Sequence, residues 1–96
     1  MSLRVGVLEV ELFLHGVHSL KEKRGIIKRL LNRVRERYDV AAAEVAMNDL
    51  WQSAGLGFAC VGNDVSEIQS RLSKIVNYID ESGLAVVSRH HLDVIQ

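Results

Sequence analysis

The sequence has no proline, a single cysteine and only 5% aromatic residues among its 96 residues. One cysteine, Cys60, excludes an internal disulfide framework and is typical of a reducing compartment. No apolar run reaches the roughly 20 residues that a membrane-spanning helix needs, and the N-terminus lacks the basic start and apolar core of a signal peptide. We therefore expect a cytoplasmic protein that does not enter a membrane. Because no proline-rich or low-complexity linker interrupts the chain, we expect one domain over residues 1–96.

What the sequence does contain is an uneven distribution of charge. Twelve basic and twelve acidic residues cancel over the whole chain. Eight of the basic residues nevertheless fall between positions 21 and 37 with only two acidic ones, so this segment carries a net charge of +6. The eight are Lys21, Lys23, Arg24, Lys28, Arg29, Arg33, Arg35 and Arg37. Such a segment indicates binding to a polyanion rather than catalysis.

The hydrophobic pattern predicts six secondary-structure elements. A first helix, residues 19–38, opens with the capping-box pair Ser19 and Glu22, and a second opens with Asp64 and Glu67 and ends at Gly83. Four segments have the composition and alternation of strands: Leu3–Leu14, Val40–Met47, Ala54–Val61 and Leu84–Ile95.

The element order β-α-β-β-α-β limits the topology. Two helices that each carry one apolar stripe cover only one face of a four-stranded sheet, and parallel crossovers are right-handed. The sequence therefore predicts an α+β ferredoxin-like βαββαβ two-layer sandwich, with a four-stranded antiparallel sheet and both helices on one face. In this fold the first and last strands are neighbours, which places Glu9 and Glu11 near Arg89 and His91.

The first helix arranges its charges in two flanks beside the apolar stripe. Lys21, Arg24, Lys28 and Arg35 share one flank, Arg29, Arg33 and Arg37 share the other, and Lys23 falls near the stripe itself. We predict that these eight residues contact phosphate, with RNA as the expected target. The alternative is a solvated or protein-contacting face, since Lys and Arg are good helix formers.

The face of the sheet that no helix covers is predicted to be a second binding surface. Val5, Val7, Phe13 and Val87 are expected there, and an apolar patch of this kind is typical of a partner surface or of homo-oligomerisation. Trp51, in the connection after the second strand, is a partner anchor if it is exposed and a core residue if it folds over the sheet edge.

Several short motifs together resemble the YlxP-like family of small uncharacterised bacterial proteins. They are Ser19-Leu20-Lys21-Glu22-Lys23-Arg24, Ala43-Glu44-Val45, Asp49-Leu50-Trp51-Gln52, Gly57 and Val61-Gly62-Asn63-Asp64, and they span nearly the whole chain. The resemblance implies a ferredoxin-like fold. It also implies a setting among transcription- and translation-factor genes, which favours association with RNA or the ribosome. It supplies no catalytic residues.

The sequence contains no complete catalytic constellation, so we expect neither an enzyme nor a bound cofactor or metal. Zinc requires three or four converging ligands, and the predicted fold does not bring His15, His18, His90 and His91 together. A third hypothesis for the function, after RNA binding and protein interaction, is a phosphate-binding or acylphosphatase-like enzyme. Gly16-Val17 is similar to the phosphate loop of acylphosphatases, with Asn48 as a weak counterpart of their asparagine, but the arginine that should follow closely is displaced by Ser19-Leu20.

Overall fold

The computed structural model describes residues 2–95 and contains the six predicted elements in the predicted order. The strands are β1 (Arg4–Phe13), β2 (Ala41–Ala46), β3 (Ser53–Gly62) and β4 (Val86–Ile95), and the helices are α1 (Leu20–Tyr38) and α2 (Val65–Glu81). The strands form one sheet in the order β2-β3-β1-β4, with every pair of neighbours antiparallel. The chain therefore has the predicted ferredoxin-like fold.

Both helices begin at the predicted cap residue, but only α1 forms a capping box, because Glu67 of α2 pairs with Arg71 instead. The Ser19 hydroxyl accepts a hydrogen bond from the Glu22 amide at 3.1 Å, and the Glu22 carboxylate accepts one from the His18 amide at 3.4 Å. At the start of α2, the Asp64 carboxylate accepts from the Ser66 amide at 2.9 Å. These contacts use amides that have no partner inside a helix and so fix where each helix begins.

The core lies between the helices and one face of the sheet. Leu30 and Val34 of α1 and Leu72 and Ile75 of α2 are fully buried in one core together with even-numbered residues of β1. Burying each such side chain contributes about 1.5–3 kcal/mol to folding. Cys60 packs in the same core, and burial raises the pKa of its thiol. Within residues 2–95, neither helix is long and apolar enough to cross a membrane.

The register of β1 with β4 confirms the predicted pairing of opposite charges. Glu11 lies opposite Arg89 and Glu9 lies opposite His91. The Arg89 guanidinium donates two hydrogen bonds to the Glu11 carboxylate, at 3.0 and 2.9 Å, and these bonds raise the pKa of Arg89.

The prediction that Val87 lies on the open face of the sheet is wrong. The β1–β4 register shifts after Glu11, so that Ser88 is an extra residue and Val87 pairs with Leu12. Since a bulge of one residue reverses the side-chain alternation, Val87 turns toward the core and Val86 takes the open face.

Candidate nucleic-acid interface

α1 turns its apolar stripe to the core and presents two polar flanks. Ile27, Leu30 and Val34 are at most 3% exposed. The helix contacts β2 and α2, whereas α2 contacts β1, β3 and β4. One flank of α1 therefore lies beside β2, which is an edge strand of the sheet, and the other lies beside α2.

Lys23 does not belong to the exposed basic surface, and the prediction that it contacts phosphate is wrong. Its side chain is 1% exposed. The ammonium lies 3.0 Å from the Glu44 carboxylate and donates a hydrogen bond of 2.6 Å to the Met47 carbonyl. A buried ammonium needs such partners, so Lys23 connects α1 to β2 and to the start of the following loop.

Two further basic residues, at the C-terminal end of α1, are partly engaged by the protein. Arg35 donates to the Asn32 side chain at 3.0 Å and to the Ala42 carbonyl of β2 at 2.5 Å. Arg37 lies 5.3 Å from the ring centre of Tyr78 and 5.8 Å from that of Tyr38, and it donates to the Tyr38 hydroxyl at 3.3 Å. Both remain exposed, but their geometry is set by the fold.

Five basic residues of α1 are exposed and form no ion pair or side-chain hydrogen bond within residues 2–95. They are Lys21, Arg24, Lys28, Arg29 and Arg33. At 1.5 Å per residue they extend over about 18 Å of helix. We call these five residues the basic face. Their unneutralised charges create a positive field along the outer side of the molecule.

The N-terminus of α1 offers less to an anion than the sequence suggested. The amides of His18 and Glu22 already donate to the side chains of Glu22 and Ser19, and the Val17 carbonyl accepts from Gln52 at 3.4 Å. These contacts account for the turn without a bound phosphate.

The β2–β3 loop, residues 47–52, is held beside the first turns of α1. Lys23 binds the carbonyl at its start, and Gln52 at its end bonds to Val17. The Gln52 carbonyl also accepts from the Leu14 amide at 2.8 Å. Between these anchors Trp51 is 52% exposed, so the structure selects the exposed alternative for this residue. The sequence does not reveal the anchoring, because Lys23 and Met47 are 24 positions apart.

The open face of the sheet is largely apolar on its β2–β3 side. Val5, Val7 and Phe13 lie on it as predicted, each partly buried by neighbouring strands. Larger exposed fractions belong to Val45 at 58% and Val61 at 60%. The sequence analysis missed Val45, which shares the side-chain alternation of Ala43 opposite Gly57 and so lies on this face. The bulge after Glu44 sets Ala46, rather than Val45, opposite Gly55.

The charged groups of the open face lie on its β1–β4 side. Glu9, Glu11, Arg89 and His91 border a shallow depression of about 600 Å³. Within residues 2–95, no group of three or more histidine, cysteine or carboxylate side chains is arranged to hold a metal ion. The geometry here is that of strand pairing rather than of a nucleophile with its base.

Comparison with known proteins identifies the family but no activity. The family described as "Protein of unknown function (DUF503)" matches residues 5–91. The uncharacterized protein YlxP of Bacillus subtilis (strain 168) is 33% identical over 76 residues, which cover 79% of this chain and 83% of that protein. These matches confirm the resemblance carried by the sequence motifs.

Solved structures that resemble this one share its fold alone. The designed protein Foldit4 has a TM-score of 0.57 at 15% identity, covering 99% of this chain and 98% of its own. SnoaB, a cofactor-independent oxygenase from Streptomyces nogalater, has a TM-score of 0.50 at 11% identity, covering 97% and 91%. Since a designed protein and an oxygenase both match, the function must be argued from the surface of this chain.

Proposed function

This protein belongs to the DUF503 family of proteins of unknown function, and we propose that it binds RNA, free or within the ribosome, through the basic face of α1. The observation that supports the proposal is that Lys21, Arg24, Lys28, Arg29 and Arg33 are all exposed on one helix without an acidic partner in residues 2–95. The role is one of binding, without catalysis.

The physical basis is the release of counterions from the phosphate backbone. Each phosphate that a Lys or Arg neutralises frees a condensed cation, and for single strands the logarithm of affinity falls by about 0.7 per contact for each tenfold rise in salt. Five contacts therefore give a slope of about −3.5. Between 50 and 200 mM salt, we expect affinity to fall about 100-fold.

The test is fluorescence-anisotropy titration of a labelled RNA at several salt concentrations. We expect the triple variant Arg24→Glu, Lys28→Glu, Arg33→Glu to lose at least about 100-fold in affinity, because three attractions become repulsions, and the salt slope to fall accordingly. The fold should survive, since all three side chains are exposed and Glu is a good helix former.

A matched pair of single variants controls for net charge. Lys28 on α1 and Lys74 on α2 are both exposed helical lysines, and changing either to Glu alters the net charge equally. We expect Lys28→Glu to weaken RNA binding severalfold and Lys74→Glu to leave it nearly unchanged. Equal losses in both would show a general charge effect and would contradict a binding site on α1.

A second candidate function, association of two copies through the open sheet face, is favoured by the exposed valines of β2 and β3. The strands of 10, 6, 10 and 10 residues form a face of about 570 Å² at about 3.3 Å per residue and 4.8 Å between strands. Because protruding side chains add accessible area to this flat value, the face approaches the roughly 800 Å² per partner of a standard interface. A two-fold axis would pair the uncharged Val45 and Val61 regions, which suits a second copy of this chain.

Light scattering in dilute solution tests this candidate. A mass of twice 10.7 kDa that reverts to the monomer in Val61→Glu, but not in Asn63→Glu in the adjacent turn, is the expected result. A monomeric wild-type protein would exclude it and leave the RNA proposal untouched.

A further inference from the structure

We infer that Trp51 provides a stacking platform for an unpaired base, so that the nucleic acid bound by this protein is single-stranded RNA. The inference rests on the proposed function and extends it from phosphate contacts to base contacts. It is carried by the position of the β2–β3 loop, and neither the family nor the fold supplies it.

The loop is tied to the same part of α1 that carries the basic face. Lys23 reaches the Met47 carbonyl from one turn into the helix, and Gln52 reaches the Val17 carbonyl just before the helix begins. Trp51 immediately precedes Gln52 in the chain. The loop that carries Trp51 therefore lies beside the start of α1, whose N-terminal half also carries Lys21, Arg24 and Lys28.

These three residues share the flank of α1 that faces β2 and its loop. Residues 21, 24, 28 and 35 fall within about 60° on the helix at 100° per residue. Arg35, the last of them, donates to the Ala42 carbonyl of the edge strand. The other flank is directed toward α2, as the contact of Arg37 with Tyr78 shows. A backbone that follows Lys21, Arg24 and Lys28 therefore runs past the loop.

The indole itself is held but not covered. Trp51 is 52% exposed and its neighbour Leu50 is 51% exposed, although the loop between Met47 and Gln52 is anchored at both ends. Tryptophan has only two side-chain torsions, so little entropy is lost when a ligand fixes it. Single-strand binders combine exposed aromatic rings with a basic path for the backbone, and here an anchored loop with an exposed indole begins beside a basic helix.

This arrangement favours a single strand over a duplex. In A-form RNA the bases are stacked on one another and the major groove is too narrow for side chains, whereas in a single strand an unpaired base can stack on an aromatic ring. A duplex could use only the basic face. An acidic peptide without aromatic side chains could also pair with the cations, but it would offer the indole no π-surface on which to stack.

Because Trp51 is the only tryptophan in the chain, its fluorescence reports the contact directly. The experiment titrates the full-length protein with oligouridylate and oligoadenylate of about 8 nucleotides, with a blunt duplex of equal length, and with polyglutamate. We expect both single strands to quench Trp51 emission, with a midpoint equal to the anisotropy-derived Kd, and the duplex to bind more weakly with little quenching.

Variants in the loop separate stacking from charge. Trp51→Ala should weaken single-strand binding about 5- to 150-fold, the range for loss of one stacked base, without changing the salt slope, while Trp51→Phe should retain most of the affinity. Leu50→Ala, in the same loop and equally exposed, is the matched control and should bind as the wild type does. Circular dichroism checks that each variant is folded.

The outcomes distinguish base stacking on Trp51 from RNA binding by the basic face. If Trp51→Ala binds RNA normally and wild-type emission does not change, stacking is wrong although salt-sensitive RNA binding stands. If no RNA binds, the proposed function fails as well. If polyglutamate quenches the indole and RNA does not, the surface recognises acidic protein, and the RNA assignment is overturned.

Discussion

The two helices of this protein do the same structural work with different outer surfaces. α1 has 19 residues and α2 has 17, each begins with a side-chain cap, and each buries one apolar stripe on the same sheet. α1 contains eight basic and two acidic residues, a net charge of +6, whereas α2 contains two basic and three acidic residues, a net charge of −1. A helix covering this sheet therefore needs a polar outer face but not a basic one.

The charge of α1 also acts against its own stability. Arg24 and Lys28, Arg29 and Arg33, and Arg33 and Arg37 are like-charged pairs four residues apart, and each such pair destabilises a helix by about 0.2–0.5 kcal/mol. In α2 the corresponding spacing joins Glu67 to Arg71, which form an ion pair. An outer face chosen for stability alone would resemble α2, so the comparison supports a binding role for α1.

The largest expected effect tests whether the buried faces of the two helices contribute equally to the free energy of unfolding. Leu30 in α1 and Leu72 in α2 are both 0% exposed. We expect Leu30→Ala and Leu72→Ala each to lower the free energy of unfolding by about 2–5 kcal/mol, because each removes buried apolar surface and leaves a cavity. Urea denaturation measures both. A much smaller cost for Leu30→Ala would mean that α1 is loosely docked, which would undermine the comparison.

The next largest effect concerns the one basic residue of α1 that the fold itself requires. Lys23→Met leaves the Glu44 carboxylate, 17% exposed, without its cation, and we expect a loss of about 3 kcal/mol in unfolding free energy. Replacing both partners, as Lys23→Met with Glu44→Gln, should recover most of that loss. If Lys23→Met is as stable as the wild type, the Lys23–Glu44 pair is solvated, and Lys23 belongs with the exposed basic residues of α1 after all.

Much of this architecture could be predicted from sequence because the signals are local. The caps at Ser19 and Asp64 and the order of elements follow from short patterns, and the facing of Glu11 and Arg89 follows from the alternation of side chains in paired strands. Each of these depends on residues close in sequence or on the topology, which the element order nearly determines.

The errors arose where one inserted residue changes the geometry. The bulge at Ser88 moves Val87 to the core side, and the bulge at Val45 sets Ala46, rather than Val45, opposite Gly55. No turn residue or charge marks either site in the sequence. The burial of Lys23 was equally hidden, since its partner Glu44 lies on another element and faces α1 only in the observed register. The placement of Trp51 depends on the same contact.

A smaller effect, of opposite sign, separates stability from binding on α1. Arg33→Glu converts two like-charged pairs, with Arg29 and Arg37, into opposite-charged ones, and it converts the opposite-charged pair with Glu36 into a like-charged one. We expect the free energy of unfolding to rise by about 0.4–1 kcal/mol, the net of one converted pair, while RNA affinity falls severalfold. Thermal unfolding and anisotropy on the same sample provide both values. A variant that is less stable and still binds normally would reverse the interpretation, since the charge would then serve the fold.

The smallest effect is expected on α2, at the ion pair of Glu67 and Arg71, which has the spacing that joins like charges in α1. Glu67 bonds to the Arg71 guanidinium and raises the pKa of Arg71, which also donates to the Asp39 carbonyl at 3.3 Å, just after α1. Because Glu67 is 51% exposed, solvent screens the pair, and Arg71→Ala should cost only about 0.5–1 kcal/mol in unfolding free energy and leave RNA binding unchanged. Urea denaturation in low and in 1 M salt measures it, with the difference between variant and wild type shrinking at high salt. A loss above about 2 kcal/mol would mean that Arg71 anchors the C-terminal end of α1, as Lys23 anchors its beginning. The contrast between the two helices, with α2 using charge for stability and α1 for the proposed binding, would then apply only to the five residues of the basic face.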